Sequence, residues 1–286
     1  MSRIDLHSHT TASDGSLTPE ELVRLAKRQG VSVLAVTDHD TVAGLPRAIA
    51  EGELLGVEII PGIEISCSYG ETELHILGYF IDPADPHWEP ALTRYWASRE
   101  DRNPLIVQRL NELGCELDYA EVKAAAGSAT VGRPHIAQAL LRKGYVKSIS
   151  EAFDRYLADG GPAYVPRRLP PPAEAIGLIR QTGGIPVLAH PVYTSRIKEP
   201  FEQICETLKG FGLMGVESFY SSHNQQQTDH YRSISREQNL LVTGGSDFHG
   251  EAKPNLLVGT GYGNLKVPED LLEPMRALAG KDNKSG

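Results

Sequence analysis

The chain has 286 residues, of which 40% are hydrophobic and 23% charged, and its formal net charge is −9. This composition is typical of a globular protein, and no apolar run approaches the ~18 residues of a membrane span. The acidic balance argues against a general polyanion-binding surface. Residues 94–168 differ, because they carry twelve basic and nine acidic side chains. This mildly basic segment is the expected place for a phosphorylated substrate to bind.

Three cysteines, Cys67, Cys115 and Cys205, are far apart in the sequence and form no Cys-x-x-Cys motif. They are therefore interpreted as free buried thiols rather than as parts of a disulfide framework. The first residues show no signal-peptide pattern. We expect a cytoplasmic protein, and the sequence indicates neither membrane contact nor a stable protein partner.

The first part of the chain alternates between strands and helices. A strand is predicted at residues 4–7, and the first helix begins with a capping box formed by Thr18 and Glu21. A continuous apolar strand follows at residues 33–37, as expected in a parallel sheet covered on both faces. The next elements are a helix at residues 43–55 and strands at residues 57–60, 63–66 and 73–79.

The pattern changes near residue 87, where four helices follow one another up to residue 157 without a strand between them. Strand–helix alternation then resumes at residue 172 and continues to a strand at residues 240–243. Repeated βα units predict an α/β sheet or barrel. We therefore expect a barrel formed by residues 1–86 and 164–286, with residues 87–163 as a helical insertion that caps the substrate.

Histidine, aspartate and glutamate recur where the predicted strands end. In a βα-barrel these ends gather on one face, so residues that are distant in sequence would meet there. Imidazole and carboxylate are ligands for divalent metals such as Mn, Fe and Zn. The candidate metal-ligating and catalytic residues are His7, His9, Asp14, His39, Glu64, His75, His190, Asp247 and His249.

Nine ligands are too many for one ion but suit two or three ions that share a carboxylate. Three divalent ions over three carboxylates leave an excess of positive charge that matches a phosphate dianion and a hydroxide. The expected chemistry is therefore phosphoester hydrolysis rather than amide hydrolysis. Metal binding lowers the pKa of water to about 7, which supplies a nucleophile without a covalent protein intermediate.

These segments resemble the PHP (polymerase and histidinol phosphatase) family over residues 4 to about 250. The motifs that carry the resemblance are Asp5-Leu6-His7-Ser8-His9-Thr10, Ser13-Asp14-Gly15, Thr37-Asp38-His39-Asp40, Gly62-Ile63-Glu64, Ala189-His190-Pro191 and Gly245-Ser246-Asp247-Phe248-His249. The resemblance implies a distorted seven-stranded βα-barrel with a trinuclear metal site. The implied cofactors are three Mn²⁺ ions, with Zn²⁺ or Fe²⁺ as alternatives.

The resemblance also implies how the ligands divide among the ions. One ion would bind His7, His9, Glu64 and Asp247; a second would share Glu64 and add His75 and His190; a third would bind Asp14, His39 and His249. Asp38 and Asp40, which flank His39, are expected to orient imidazoles from outside the ligand set.

The helical insertion and two further motifs, Gly132-Arg133-Pro134-His135 and Tyr164-Val165-Pro166, resemble a subgroup of the family. This subgroup includes nucleoside 3′,5′-bisphosphate phosphatases and ribonuclease AM, a 5′→3′ exoribonuclease. The implied function is removal of the 3′-phosphate from a nucleoside bisphosphate, or stepwise release of nucleotides from short 5′-phosphorylated RNA and ribosomal RNA 5′ ends. The alternatives are a histidinol-phosphate-type phosphatase, a metal-dependent amide hydrolase and a non-catalytic, metal-stabilised scaffold.

A nucleotide with two phosphates needs a basic pocket for the phosphate that is not cleaved. Arg133 and His135 are the first candidates, because they lie at a predicted helix start, where free N–H groups favour anions. The other candidate substrate-binding residues are Arg99, Arg102, Tyr164 and His223.

Overall fold

The computed structural model describes residues 3–127 and 131–282, of which residues 281–282 are described by their backbone alone. Seven strands form one sheet in the order β1-β2-β3-β4-β5-β6-β7. All neighbouring pairs are parallel except those of β4, which runs against both β3 and β5. The strands are β1 (Arg3–Asp5), β2 (Val31–Val36), β3 (Glu58–Tyr69), β4 (Thr72–Tyr79), β5 (Ile185–Leu188), β6 (Gly215–Tyr220) and β7 (Leu241–Gly245).

The chain beyond β1 meets the chain beyond β7, so the two edges of the sheet approach each other. Asp247 N donates to His7 O at 2.8 Å, and His9 N donates to Phe248 O at 2.9 Å. The buried carboxylate of Asp5 accepts a hydrogen bond from Ser246 N at 2.8 Å and further secures this junction. The predicted α/β architecture with seven strands is confirmed.

Six helices accompany the sheet: α1 (Pro19–Arg28), α2 (Leu45–Leu55), α7 (Pro172–Gln181), α8 (Phe201–Gly210), α9 (Gln225–Glu237) and α10 (Leu272–Asp282). Helix α1 begins with the predicted capping box of Thr18 and Glu21. Among the described residues, none of the helices combines the length and apolar character needed to cross a bilayer. Short 3₁₀ turns follow His190 and His249, at Pro191–Arg196 and Gly250–Ala252.

The predicted helical segment between β4 and α7 contains α3 (Trp88–Glu112), α4 (Tyr119–Ala126), α5 (Arg133–Arg142) and α6 (Ile149–Ala152), which continues as a π-helical turn, Phe153–Leu157. The second half of α3 packs with α5 in a hydrophobic core that is separate from the core around the sheet. The first half of α3 instead packs into the barrel core through Trp88, Leu92 and Tyr95. We propose that residues 87–163 are an insertion domain anchored to the barrel by this long helix.

The strand that carries Glu64 differs from the sequence-based expectation. Glu64 was expected at a strand end, but it lies inside β3, because the two predicted strands at residues 57–60 and 63–66 are one continuous strand. β3 extends past Glu64 because it pairs with β4 in an antiparallel hairpin that turns after Tyr69. His75 lies inside β4, as the predicted strand at residues 73–79 implies. Both side chains therefore reach the site from the wall of the barrel rather than from its rim.

Candidate metal centre

The nine predicted ligands come together in one cluster, which we call the metal cluster, and Glu64 lies at its centre. Glu64 Oε1 is 2.8 Å from His75 Nδ1 and 2.9 Å from His190 Nε2. Glu64 Oε2 lies 3.2 Å from a ring nitrogen of each of three further imidazoles, those of His7, His9 and His39. One carboxylate thus reaches five of the six histidines, as expected for a ligand shared between ions.

Asp14, Asp247 and His249 form the other side of the metal cluster. Asp14 Oδ1 lies 3.3 Å from His249 Nε2, and Asp247 Oδ1 lies 3.2 Å from His249 Nδ1. His9 joins the two sides, because its Nε2 is 3.3 Å from Asp247 Oδ1 and 3.2 Å from Glu64 Oε2. No predicted ligand lies apart from the others.

The strands position most of these side chains at one end of the barrel. His7, His39, His190 and Asp247 follow the last residues of β1, β2, β5 and β7, as the sequence predicts. The backbone at two of these positions has a positive φ, 26° at His190 and 59° at Asp247. Such conformations are costly for residues other than glycine and concentrate at functional sites.

The donor set fits divalent metal ions. The ligand atoms fall into three groups within which they lie no more than 4.8 Å apart: His9, Asp14, His39 and His249; His7, His9 and Glu64; and His39, Glu64 and His75. Both ring nitrogens of His9, and Nδ1 of His39, are buried and have no hydrogen-bond partner among the described residues. Buried polar atoms normally have partners, so these nitrogens are suited to hold metal.

The metal cluster holds strongly opposed charges. Burial disfavours the charged imidazole of His75, but the Glu64 and Glu73 carboxylates override it and raise the pKa of His75 to about 10. Burial likewise opposes ionisation of Glu64, yet the imidazoles of His39 and His7 hold its pKa well below the usual range. In the absence of metal, protons therefore occupy part of this site, and metal binding must release them.

A residue that the sequence analysis missed, Glu217 in β6, is fully buried behind the metal cluster. Its Oε1 is 2.9 Å from His7 Nδ1, and its Oε2 accepts a hydrogen bond from His190 N at 2.7 Å. A carboxylate on the far nitrogen of a ligating imidazole fixes the tautomer and the ring orientation. In the sequence, Glu217 could have been identified as an isolated glutamate within a predicted buried strand.

Two orienting roles that the sequence predicted are wrong. Asp38 does not bind an imidazole but accepts hydrogen bonds from the backbone and hydroxyl of Thr10, both at 2.7 Å. Asp40 pairs with Arg99 at 2.6 Å and also accepts a hydrogen bond from Ser66 N. Both aspartates neighbour His39 in sequence, but among the described residues their carboxylates form hydrogen bonds with groups other than imidazoles.

Three of the predicted substrate-binding residues line cavities that residues of the metal cluster also line. Arg133 lines a cavity of about 300 Å³, which we call the central cavity, together with most of the ligands. Its guanidinium pairs with Asp159 at 2.8 Å and with Glu73 at 3.2 Å. Arg99 and Arg102 line a smaller adjoining cavity of about 120 Å³, which Asp14, His39 and His75 also line.

Three candidates have other contacts. His135 Nδ1 accepts a hydrogen bond from Gly132 N at 3.0 Å, which uses that nitrogen to cap α5. Tyr164 packs beneath Arg133, with 5.6 Å between the guanidinium carbon and the ring centroid. His223, the last of the predicted substrate-binding residues, lines a separate cavity beside Asn224, and its Nδ1 bonds to Ser218 O.

Arg99, Arg102, Arg133 and Arg167 form what we call the arginine cluster. Arg167, which the sequence analysis missed, is buried and pairs with Asp40 at 3.2 Å through Nη1, while its Nε and Nη2 have no hydrogen-bond partner among the described residues. Arg102 is 5% exposed, and its guanidinium donates to the neutral Asn103 side chain. Burial, followed by the charges of Arg99 and Arg167, lowers the pKa of Arg102 to about 9, which leaves it a cation at neutral pH.

Residues 5–168 match the model of the PHP domain. The chain is 36% identical to a 5′-3′ exoribonuclease of Haemophilus influenzae over 86% of this chain and 90% of that protein. It is 32% identical to a 3′,5′-nucleoside bisphosphate phosphatase of Chromobacterium violaceum over 91% of each chain. A solved structure from Bifidobacterium adolescentis, assigned to the metal-dependent phosphoesterases, superposes with a TM-score of 0.88 at 31% identity, covering 97% of this chain and 96% of that one.

The chain therefore belongs to the PHP family. It is a metal-dependent phosphoesterase, and hence a hydrolase, as the sequence predicts.

Proposed function

We propose that this enzyme hydrolyses the 3′-phosphoester of a nucleotide that also carries a 5′-phosphate. The observation that carries the proposal is that the metal cluster and three residues of the arginine cluster, Arg99, Arg102 and Arg133, line two adjoining cavities. Arg133 shares the central cavity with His75 and His190, and the cavity that holds Arg99 and Arg102 also contains His75. A phosphate at each cluster would place a ribose between them.

The arginine cluster has the chemistry of a phosphate site. Its four guanidinium groups face three carboxylates, those of Asp40, Glu73 and Asp159. Arg102 has no carboxylate partner among the described residues; Arg167 Nε and Nη2 have no hydrogen-bond partner there, and Nη2 lies 3.9 Å from Glu73 Oε1. Burying an unpaired cation is costly, and arginine binds phosphate through paired N–H groups. A substrate phosphate would satisfy both requirements.

We infer that the metal cluster holds three divalent ions, with Mn²⁺ as the first candidate. The three groups of ligand atoms support the number, and the mixture of imidazoles with carboxylates suits Mn²⁺, Zn²⁺ and Fe²⁺. Metal analysis of the purified protein, followed by reloading of the stripped protein with each metal, tests both parts. A content of one ion per chain at full activity would contradict the trinuclear assignment.

In the proposed reaction a water oxygen forms a bond to phosphorus, the P–O3′ bond breaks, and the 3′ oxygen takes a proton. Bound divalent ions supply an acidified water and positive charge for the phosphate oxygens. The protein's own part is positional: the arginine cluster holds the 5′-phosphate, and Glu217 holds the His7 ring. The same bond breaks in a nucleoside 3′,5′-bisphosphate and at the first nucleotide of a 5′-phosphorylated RNA.

The test compares two substrates that differ by one phosphate, adenosine 3′,5′-bisphosphate and adenosine 3′-monophosphate, with the Mn-loaded protein. Charged hydrogen bonds contribute about 1.5–3 kcal/mol, so the bisphosphate is expected to have a kcat/KM at least about tenfold higher. Equal kcat/KM for the two would remove the second-phosphate site. Preference for histidinol phosphate would favour the small-molecule phosphatase alternative instead.

A further inference from the structure

A further cavity, of about 710 Å³, lies beside the central cavity. The two cavities share wall residues, including Phe153, Tyr193, His249 and Lys253. We call this cavity the downstream groove and define it by Lys147, Phe153, Tyr193, Lys253 and Tyr262. Its volume lies in the range of roughly 300–1,000 Å³ that is typical of ligand sites.

The walls of the downstream groove carry exposed aromatic side chains. Tyr193 is 43% exposed and Tyr262 is 53% exposed, and Phe211 is the one other aromatic residue with an exposed side chain in the described part of the chain. Lys147 and Lys253 lie in the same walls together with the acidic Glu251, and the ammonium group of Lys253 pairs with Asp247. Aromatic platforms combined with lysines are characteristic of sites for single-stranded nucleic acid, where bases stack and cations contact phosphates.

The downstream groove and the cavity lined by Arg99 and Arg102 reach the metal cluster at different residues. The cavity lined by Arg99 and Arg102 contacts the metal cluster at Asp14, His39 and His75. The downstream groove contacts the cluster at His249 instead. The two spaces thus meet different ligands of the cluster, with the central cavity between them.

Resting on the proposed function, we propose that the downstream groove binds the continuation of an RNA chain beyond the scissile phosphate. With the 5′-phosphate at the arginine cluster and the 3′-phosphoryl group at the metal cluster, the rest of the RNA is attached to that phosphoryl group. It extends into the groove, where a base stacks on Tyr262. A mononucleotide bisphosphate leaves the groove empty, so the groove selects a short single-stranded RNA as the substrate.

The test uses Tyr262→Ala, Tyr262→Phe and the control Phe211→Ala, which removes an exposed aromatic residue that does not line the groove. For Mn-loaded protein, KM is measured with 5′-phosphorylated tetranucleotide RNA and with adenosine 3′,5′-bisphosphate. Tyr262→Ala is expected to raise the KM for RNA about tenfold relative to the KM for the bisphosphate, which corresponds to about 1.4 kcal/mol of lost stacking. Tyr262→Phe, which keeps the ring, and Phe211→Ala should leave that ratio as in the wild type.

Binding gives a readout that is independent of turnover. The Kd for 3′-fluorescein-labelled, 5′-phosphorylated RNA, measured by fluorescence anisotropy in EDTA, is expected to rise about tenfold in Tyr262→Ala. An equal rise in both KM values would show that the groove holds the first nucleotide, and an unchanged KM ratio would show that RNA does not enter it; either result overturns the inference. If the protein hydrolyses the bisphosphate but does not bind RNA, the inference about the groove is overturned and the proposed function stands. If the protein hydrolyses neither substrate, the proposed function is itself contradicted.

Discussion

The metal cluster and the arginine cluster lie side by side but are built differently. The metal cluster is formed by strands and by the residues that directly follow them, with Glu64 contacting five histidines. The arginine cluster comes from α3, from the start of α5 and from the segment before α7, none of which belongs to the sheet. A site on a packed sheet holds precise geometry for the reaction. In the proposed function the arginine cluster instead selects the substrate through its charge, so the two clusters should respond differently to mutation.

The largest effect is expected from Asp247→Ala in the metal cluster. Asp247 Oδ1 approaches His9 and His249, and its Oδ2 accepts a hydrogen bond from Tyr220. The variant should lose bound metal and all hydrolysis, both of nucleotides and of a small aryl phosphate. Metal content and both activities are measured alongside Asp229→Ala, an exposed carboxylate on α9 that should behave as wild type. Full metal content in Asp247→Ala would remove it from the ligand set.

A selective effect is expected from Arg102→Ala. Arg102 pairs with no carboxylate among the described residues, so its removal leaves no buried acid unpaired. Loss of a charged contact of about 1.5–3 kcal/mol predicts a KM for adenosine 3′,5′-bisphosphate that is about 10- to 150-fold higher. Hydrolysis of the aryl phosphate, which has no second phosphate, should change little.

Arg142→Ala on the exposed last turn of α5 is the matched control for the loss of one arginine from the insertion. If Arg102→Ala lowered the hydrolysis of adenosine 3′,5′-bisphosphate and of the aryl phosphate by the same factor, Arg102 would act in the reaction together with the metal cluster. That result would contradict the proposal that the metal cluster carries out the reaction and the arginine cluster selects the substrate.

A smaller effect on the metal cluster is expected from Glu217→Gln. This substitution keeps the shape of the side chain but removes the negative charge that faces His7 Nδ1. Outer partners of metal ligands contribute about 10- to 100-fold in metal affinity, so we expect a Kd for Mn²⁺ that is higher by that factor. Activity should recover at saturating Mn²⁺ with an unchanged KM for the nucleotide. A defect that excess metal does not rescue would indicate that Glu217 acts on the reaction in another way.

The sequence predicted that the residues of the metal cluster would lie together because strand order in a barrel follows chain order. His7, His39, His190 and Asp247 needed nothing more than the rule that parallel strands end on one face. Glu64, a candidate ligand, was expected at a strand end but lies inside β3, because the strand continues into the hairpin that turns after Tyr69.

The arginine cluster could not be predicted to the same extent. Its contacts join residues far apart in sequence, such as Arg167 with Asp40, and the chain pattern alone gives no pairing partners. Arg99 was ranked behind Arg133 as a candidate for substrate binding, yet both arginines pair with carboxylates beside the metal cluster. Asp40 was expected to orient an imidazole. Its carboxylate instead pairs with Arg99 and Arg167, which lower its pKa to about 2 although burial acts to raise it. Such competition is decided by tertiary packing.

The smallest effect on the reaction is expected from Leu140→Ala, which is fully buried in the core of the inserted helices. Deleting this side chain should lower the free energy of unfolding by about 2–5 kcal/mol. Because that core is separate from the barrel core, metal content and turnover of the aryl phosphate at 25 °C should stay near wild type. Leu34→Ala, equally buried in the barrel core, is the matched comparison and should lower thermal stability and metal content together. Loss of metal in Leu140→Ala would show that the insertion supports the metal cluster as well as the substrate, because α3 joins both cores.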